Sequence, residues 1–179
     1  MQFETERLIL RSSDANFAKD VLAFYKNNTD SFEAFEPFDT PDFYTFSTQQ
    51  RNLRVESRLI SEGRMIRFWI FPKNNPHKII GTFSLMNVRQ GSFKCASLGY
   101  KMDKDYRRMG YCREAVLFGL DFAKEQMHLH RIEATIQPSN KASLALIESI
   151  GFEREGLLRQ NVKLLGKWTD HYLYSKILD

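Results

Sequence analysis

"DYRRMGYCREAV", residues 105–116, sets three arginines and a glycine between a predicted strand, "KCASLGYKM" (94–102), and a predicted helix, "GYCREAVLFGLDFAKEQM" (110–127). A helix N-terminus offers unpaired backbone N–H groups and about half a positive charge, and a glycine lets an anion come close to the backbone. The loop therefore suits a pyrophosphate. Other phosphate loops do not fit, because neither GxxxxGK[ST] nor GxGxxG occurs in the chain. GxSxG and HExxH are absent as well, which leaves a serine hydrolase or a zincin without support.

Working outward, "MIRFWIFP" (65–72), "HKIIGTFSLMNV" (77–88) and the strand at 94–102 are β-rich runs separated by the turn compositions "KNNP" and "RQGS". They predict an antiparallel meander. The following helix carries Ala115, Val116, Gly119, Ala123 and Met127 on one side, as a helix packed on a sheet would. "RIEATIQP" (131–138) reads as a strand and "NKASLALIESIG" (140–151) as a short helix, with Asn140 at its N-cap and Gly151 beyond its end. The remaining residues, 152–178, read as a closing hairpin that turns at Gly166.

Toward the N-terminus, "TERLILR" (5–11) predicts a strand, and "DANFAKDVLAFYKNN" (14–28) a helix with Phe17, Val21, Phe24 and Tyr25 on one face. "DSFEAFEPFDTPDFYTFS" (30–47) is rich in Phe and broken by Pro37 and Pro41, so irregular structure or short helical turns are expected there. A polar helix, "TQQRNLRVESRLISEG" (48–63), follows. The aromatic segment is expected to lack a core partner and to line a groove. The predicted order is β-α-α-β-β-β-α-β-α-β-β, with no repeat or linker to divide it, so residues 1–179 are expected to form a single domain.

Composition narrows the classes further. Lys and Arg number 26 against 22 Asp and Glu, a net charge of +4 with no basic block, which does not point to DNA or RNA. No run of about 18 apolar residues occurs, and the acids in "MQFETERLIL" do not suit a secretory signal, so a cytoplasmic protein away from membranes is expected. Cys95 and Cys112 are the only cysteines and are expected to be free thiols. His128 and His130 have no third ligand nearby, and no metal is expected. Trp69 and Phe71 are expected in the core; Trp168 and Tyr172 suit either a dimer contact or a substrate groove.

The loop with its downstream residues resembles the GNAT superfamily of acyl-CoA-dependent N-acyltransferases, whose pyrophosphate loop reads Gln/Arg-x-x-Gly-x-Gly/Ala and is followed by an "N…GF" helix. Here Arg107, Gly110 and Cys112 take the loop positions, and Asn140, Ser143 and "IGF" (150–152) follow. Cys112 departs from the usual small residue. "TERLILR", "LGYKMD" and "NKASLALIESIGFEREG" look most like the ribosomal-protein-alanine N-acetyltransferase branch, over nearly the whole chain.

The resemblance implies a mixed α/β (α+β) fold: a twisted, mostly antiparallel sheet of about seven strands flanked by about four helices. The fourth and fifth strands would splay apart, with acetyl-CoA in the V between them. Backbone groups of Leu98, Gly99, Tyr100, Lys101 and Met102 would meet the pantetheine. The loop, from Arg107 and Arg108 through Met109, Gly110, Tyr111 and Cys112 to Arg113, would take the pyrophosphate. Asn140 and Ser143 would sit near the pantetheine arm and sulfur, although a helix cap alone would account for Asn140 equally well.

Acetyl transfer needs a neutral amine, a donor for the developing oxyanion and a proton for the leaving thiolate. By the same resemblance, a backbone N–H near Tyr100 would serve the oxyanion and Ser143 would supply the proton. Ile147 stands where many relatives carry a tyrosine, and Val162 where some carry a glutamate. Glu33, Glu36, Asp39 and Asp170 are candidate contacts for the amine. At pH 7.4 about a quarter of N-terminal amines are neutral against about one lysine in a thousand, so an enzyme without a strong base suits an α-amine. The expected acceptor is the N-terminus of a ribosomal-protein-like chain, and the expected assembly a monomer or homodimer. A small-molecule amine (polyamine, antibiotic or metabolite) and a non-catalytic CoA-binding sensor are the alternatives.

Overall fold

Seven residues, Ile66–Pro72, form a strand that is buried on both faces, and the rest of the fold is arranged on either side of it. In the computed structural model, which describes residues 1–36 and 42–178, this strand is β3 of an eight-stranded sheet. The others are β1 (Gln2–Glu4), β2 (Leu8–Ser12), β4 (Gly81–Arg89), β5 (Cys95–Met102), β6 (Arg131–Ile136), β7 (Glu153–Leu164) and β8 (Lys167–Ile177). The helices are α1 (Ala18–Asn27), α2 (Thr29–Phe32), α3 (Phe46–Ser61), α4 (Tyr111–Glu125) and α5 (Lys141–Ser149). Strand order is β1-β2-β3-β4-β5-β6-β8-β7, and every pairing is antiparallel except β5 with β6.

Two cores result from the alternation along β3. Ile66, Phe68 and Ile70 face α4, which buries Ala115, Val116, Gly119, Leu120 and Ala123 against the sheet. Trp69 and Phe71 face the other way, onto Val21, Phe24 and Tyr25 of α1 and Leu53 of α3. The expected core positions of Trp69 and Phe71 are therefore observed.

Four expectations need correction. The sheet gains β1, which pairs Gln2–Glu4 with β2 through a tight turn in which Thr5 N–H donates to the Leu8 carbonyl. That turn moves the start of β2 to Leu8, three residues after the predicted Thr5. Five helices are described where about four were expected, because α2 adds a single turn. The aromatic segment does have a core partner: Phe32 is buried with Phe24 and Tyr25, and the Tyr25 and Phe43 rings meet edge to face at 4.9 Å.

The meander, the capped helix and the hairpin match expectation, the last turning through Leu165 (φ +47°) and Gly166 (φ +81°) as a two-residue primed turn requires. None of the described helices is long and apolar enough to cross a membrane.

Gly119 sets the distance between α4 and the sheet, since a Cβ there would run into the Phe83 ring, itself fully buried. Gly119→Val should destabilise by about 1–3 kcal/mol, enough to lower Tm by roughly 5 °C in a chain of this size. Thermal melting of the ligand-free protein checks it.

Candidate functional site

β5 and β6 pair only from Cys95↔Arg131 to Ser97↔Glu133. β5 then continues beside β4 as far as Met102, while β6 continues beside β8 as far as Ile136, so the two strands part. No described strand pairs the β6-facing edge of residues 98–102. The V is present where the resemblance put it.

The loop after β5 closes one end of the V. Asp103, nearly fully buried, accepts a hydrogen bond from Asp105 N–H at 3.0 Å and starts a single helical turn. Lys104 N–H donates to the buried Asn28 side chain at 2.8 Å, which anchors the loop to the C-terminal end of α1. Arg108 (φ +61°) and Gly110 (φ +82°) both adopt left-handed backbone, and Gly110 caps α4 without offering a side-chain acceptor. The first N–H groups of α4 therefore remain open to an anion, in the field of the helix terminus.

The opposite wall is the start of α5. Asn140 Oδ1 accepts from Ser143 N–H at 3.2 Å, so Asn140 is the helix cap, and the Tyr100 hydroxyl donates to the Ser143 carbonyl at 3.3 Å. This second bond ties β5 to α5 across the V. Ile147 is fully buried in the α4-side core and points away from the cleft.

Between these walls lies a cleft of about 840 Å³, within the size range of cofactor sites. It is lined by Tyr100, Lys101 and Met102, by the loop and first turn of α4, by residues 139–143 and by Leu146. Burial pushes the Cys112 thiol up to about 12, and burial likewise raises the Tyr100 phenol, so both stay protonated near neutral pH.

The far end of the cleft is formed by Ser31, Phe32, Phe35 and Glu36. Glu36 pairs with Lys101 Nζ at 3.2 Å, and it is the only carboxylate among the described lining residues. Glu33 lies apart, accepting from the Tyr44 hydroxyl at 2.9 Å. Asp170 is on the hairpin, where it accepts from Gln160 N–H at a bulge of β7. Asp39 falls outside the described residues. Leu98 and Gly99 are not brought to the cleft surface: Leu98 packs into the core, and Gly99 lies against Ser84 and Met86. Met109 is exposed, with its carbonyl held by Arg7 at 2.8 Å.

Arg7, Thr5 and Glu114 were not singled out as site residues from sequence. Glu114 lies more than a hundred positions along the chain from Thr5 and Arg7, and nothing local in "TERLILR" points to that pairing.

Comparison with known proteins places the chain. A sequence profile of the acetyltransferase (GNAT) domain matches residues 7–153. Over 168 residues the chain is 33% identical to the probable N-acetyltransferase YjcK of Bacillus subtilis (strain 168), covering 94% of this chain and 92% of that one. It is 28% identical over 173 residues to the ribosomal protein uS5-alanine N-acetyltransferase of Escherichia coli (strain K12), covering 97% and 89%. The crystal structure of ribosomal-protein-S5-alanine acetyltransferase from Vibrio fischeri superposes with a TM-score of 0.93 at 30% identity, over 100% of this chain and 97% of that one.

CoA at about 100 times its Kd should add roughly 2.7 kcal/mol of stability and raise Tm on the order of 5–10 °C. Gly110→Val, a β-branched residue in a left-handed position, should remove most of that shift. With a thiol pKa raised to about 12, the half-buried Cys112 should be alkylated by iodoacetamide far more slowly than an unperturbed thiol at pH 8; rapid labelling, followed by mass spectrometry, would contradict the protonated state.

Proposed function

The chain belongs to the GNAT acetyltransferase family and uses acetyl-CoA as donor, and on that premise we propose that it acetylates the N-terminal α-amine of a protein, in the manner of the ribosomal-protein-alanine enzymes. The observation that carries the choice of acceptor is the chemistry of the cleft. Among its described lining residues there is one carboxylate, Glu36, held by Lys101, and no histidine. A site this poor in bases favours an amine that sheds its proton unaided near neutral pH. An α-amine does so about two orders of magnitude more readily than lysine. The relative from Escherichia coli, an alanine N-acetyltransferase of ribosomal protein uS5 by its name, supports the same choice.

In this reading one domain over residues 1–179 binds both substrates together. The diphosphate rests on the N-terminus of α4 and the thioester lies in the V. The amine enters past Phe35, with Glu36 drawing the cationic terminus. The neutral amine's lone pair attacks the acetyl carbon, and a backbone N–H of β5 near Tyr100 receives the developing oxyanion. The C–S bond then breaks, the CoA thiolate takes a proton from Ser143 Oγ while the serine regains one from solvent, and the amine nitrogen gives up its extra proton to solvent, so the serine ends as it began. The neutral phenol of Tyr100, bonded to the Ser143 carbonyl, keeps that serine in position. The two free cysteines suit the reducing cytoplasm.

Peptides beginning in Ala or Ser should release free CoA thiol at a rate that rises through about pH 7–8, as the α-amine deprotonates. Ser143→Ala should lower kcat roughly a hundredfold while changing the KM for acetyl-CoA little, because the proton is needed mainly in the transition state. Faster acetylation of an N-blocked, lysine-containing peptide or of a polyamine would overturn the acceptor assignment. Absence of turnover with every amine, despite CoA binding, would favour a sensor.

A further inference from the structure

We infer that Arg7, at the turn between β1 and β2, is a positioning residue for the CoA diphosphate. It would act by bracing the loop from behind. Arg7 Nη1 donates to the Met109 carbonyl at 2.8 Å, and Arg7 Nε donates to Glu114 Oε2 at 2.7 Å. The guanidinium also lies over the Tyr111 ring, 4.6 Å from its centroid. Its Nη2 is 3.1 Å from where a Cβ on residue 110 would stand, and it has no hydrogen-bond partner among the described residues.

Each contact bears on the anion site. A trans peptide directs its C=O and N–H to opposite sides, so holding the Met109 carbonyl toward Arg7 turns the Gly110 N–H the other way. Gly110 lines the cleft, and none of the described residues accepts its N–H. Arg7 thus fixes the one peptide plane on which presentation of that donor depends.

The second effect is electrostatic. Glu114 sits in the first turn of α4, where its negative charge would repel a diphosphate arriving at the same terminus. Partial burial would raise its carboxyl, but hydrogen bonds from Thr5 Oγ1 (2.5 Å), from Arg7 N–H (2.8 Å) and from the guanidinium outweigh this and hold it below the usual carboxylate range. Those same bonds keep the charge turned toward β1–β2 and offset it with a cation. Only acyl-CoA binding is involved, so the inference is independent of which amine accepts the acetyl group.

Calorimetric titration of CoA into folded variants tests it. Arg7→Met keeps the aliphatic stem but removes the charge and both side-chain bonds, and should raise Kd roughly tenfold, the worth of one charged hydrogen bond. The loss in kcat should be much smaller than the rise in Kd. Arg7→Lys should fall between the two. Glu114→Gln on top of Arg7→Met should restore part of the affinity, because the uncompensated charge is gone; a purely structural role predicts no such recovery. Wild-type affinity in Arg7→Met, or no recovery in the double variant, overturns the inference. If Arg7→Met does not fold, Arg7→Lys decides alone: weaker CoA binding supports the brace, and unchanged binding overturns it. Failure of the wild-type protein to bind CoA would instead count against the family's cofactor site.

Discussion

Strands β5 and β6 share backbone hydrogen bonds only between Cys95–Arg131 and Ser97–Glu133, and past that point each has a different neighbour. Backbone groups at a sheet edge inside a protein must be satisfied by something. Here the edge loses its strand partner after Ser97 and its residues 100–102 line a cleft, which makes it the natural recipient for an extended, amide-bearing ligand such as pantetheine. The parting is stable because each half of the sheet is held independently. β5 stays in register with β4 to Met102 under α4, and β6 is clamped to β8 along its whole length. The Tyr100–Ser143 hydrogen bond spans the gap and limits how far the two walls can move.

The same parting explains why an anion site and a reaction site belong to one cleft. α4 follows β5 through the loop at 103–110, and its first turn lines the cleft. α5 begins directly after β6 and forms the other wall. Two helix N-termini therefore line one cleft, an arrangement suited to a ligand with negatively charged phosphate groups along one arm and a thioester at the other. Gly110 in left-handed backbone makes the close approach possible, and the buried Asp103 and Asn28 keep the loop from collapsing into the space.

What could be read in the sequence was local. The loop, the Asn140 cap, the Gly166 turn and the α4 face depend on residues within a turn or two of one another, and each is observed. What could not be read was pairwise and distant. Glu114 and Arg7 are separated by 107 positions, and each alone looks like a surface charge. Phe32 and Phe43 read as an orphan aromatic run until α1 and β3 supply Phe24, Tyr25 and Trp69. Of the acidic candidates, Glu36 reaches the cleft, because the turn after α2 carries it to Lys101. Glu33 and Asp170 satisfy local donors instead, an outcome that composition cannot distinguish.

Hydrogen exchange with and without CoA tests the central claim most directly, because it reads individual backbone N–H groups. Saturating CoA should slow exchange at residues 100–102 and 110–113 and leave the β7–β8 hairpin unchanged. Protection confined to the hairpin, or none at either wall of the V, would contradict a cofactor held between β5 and β6.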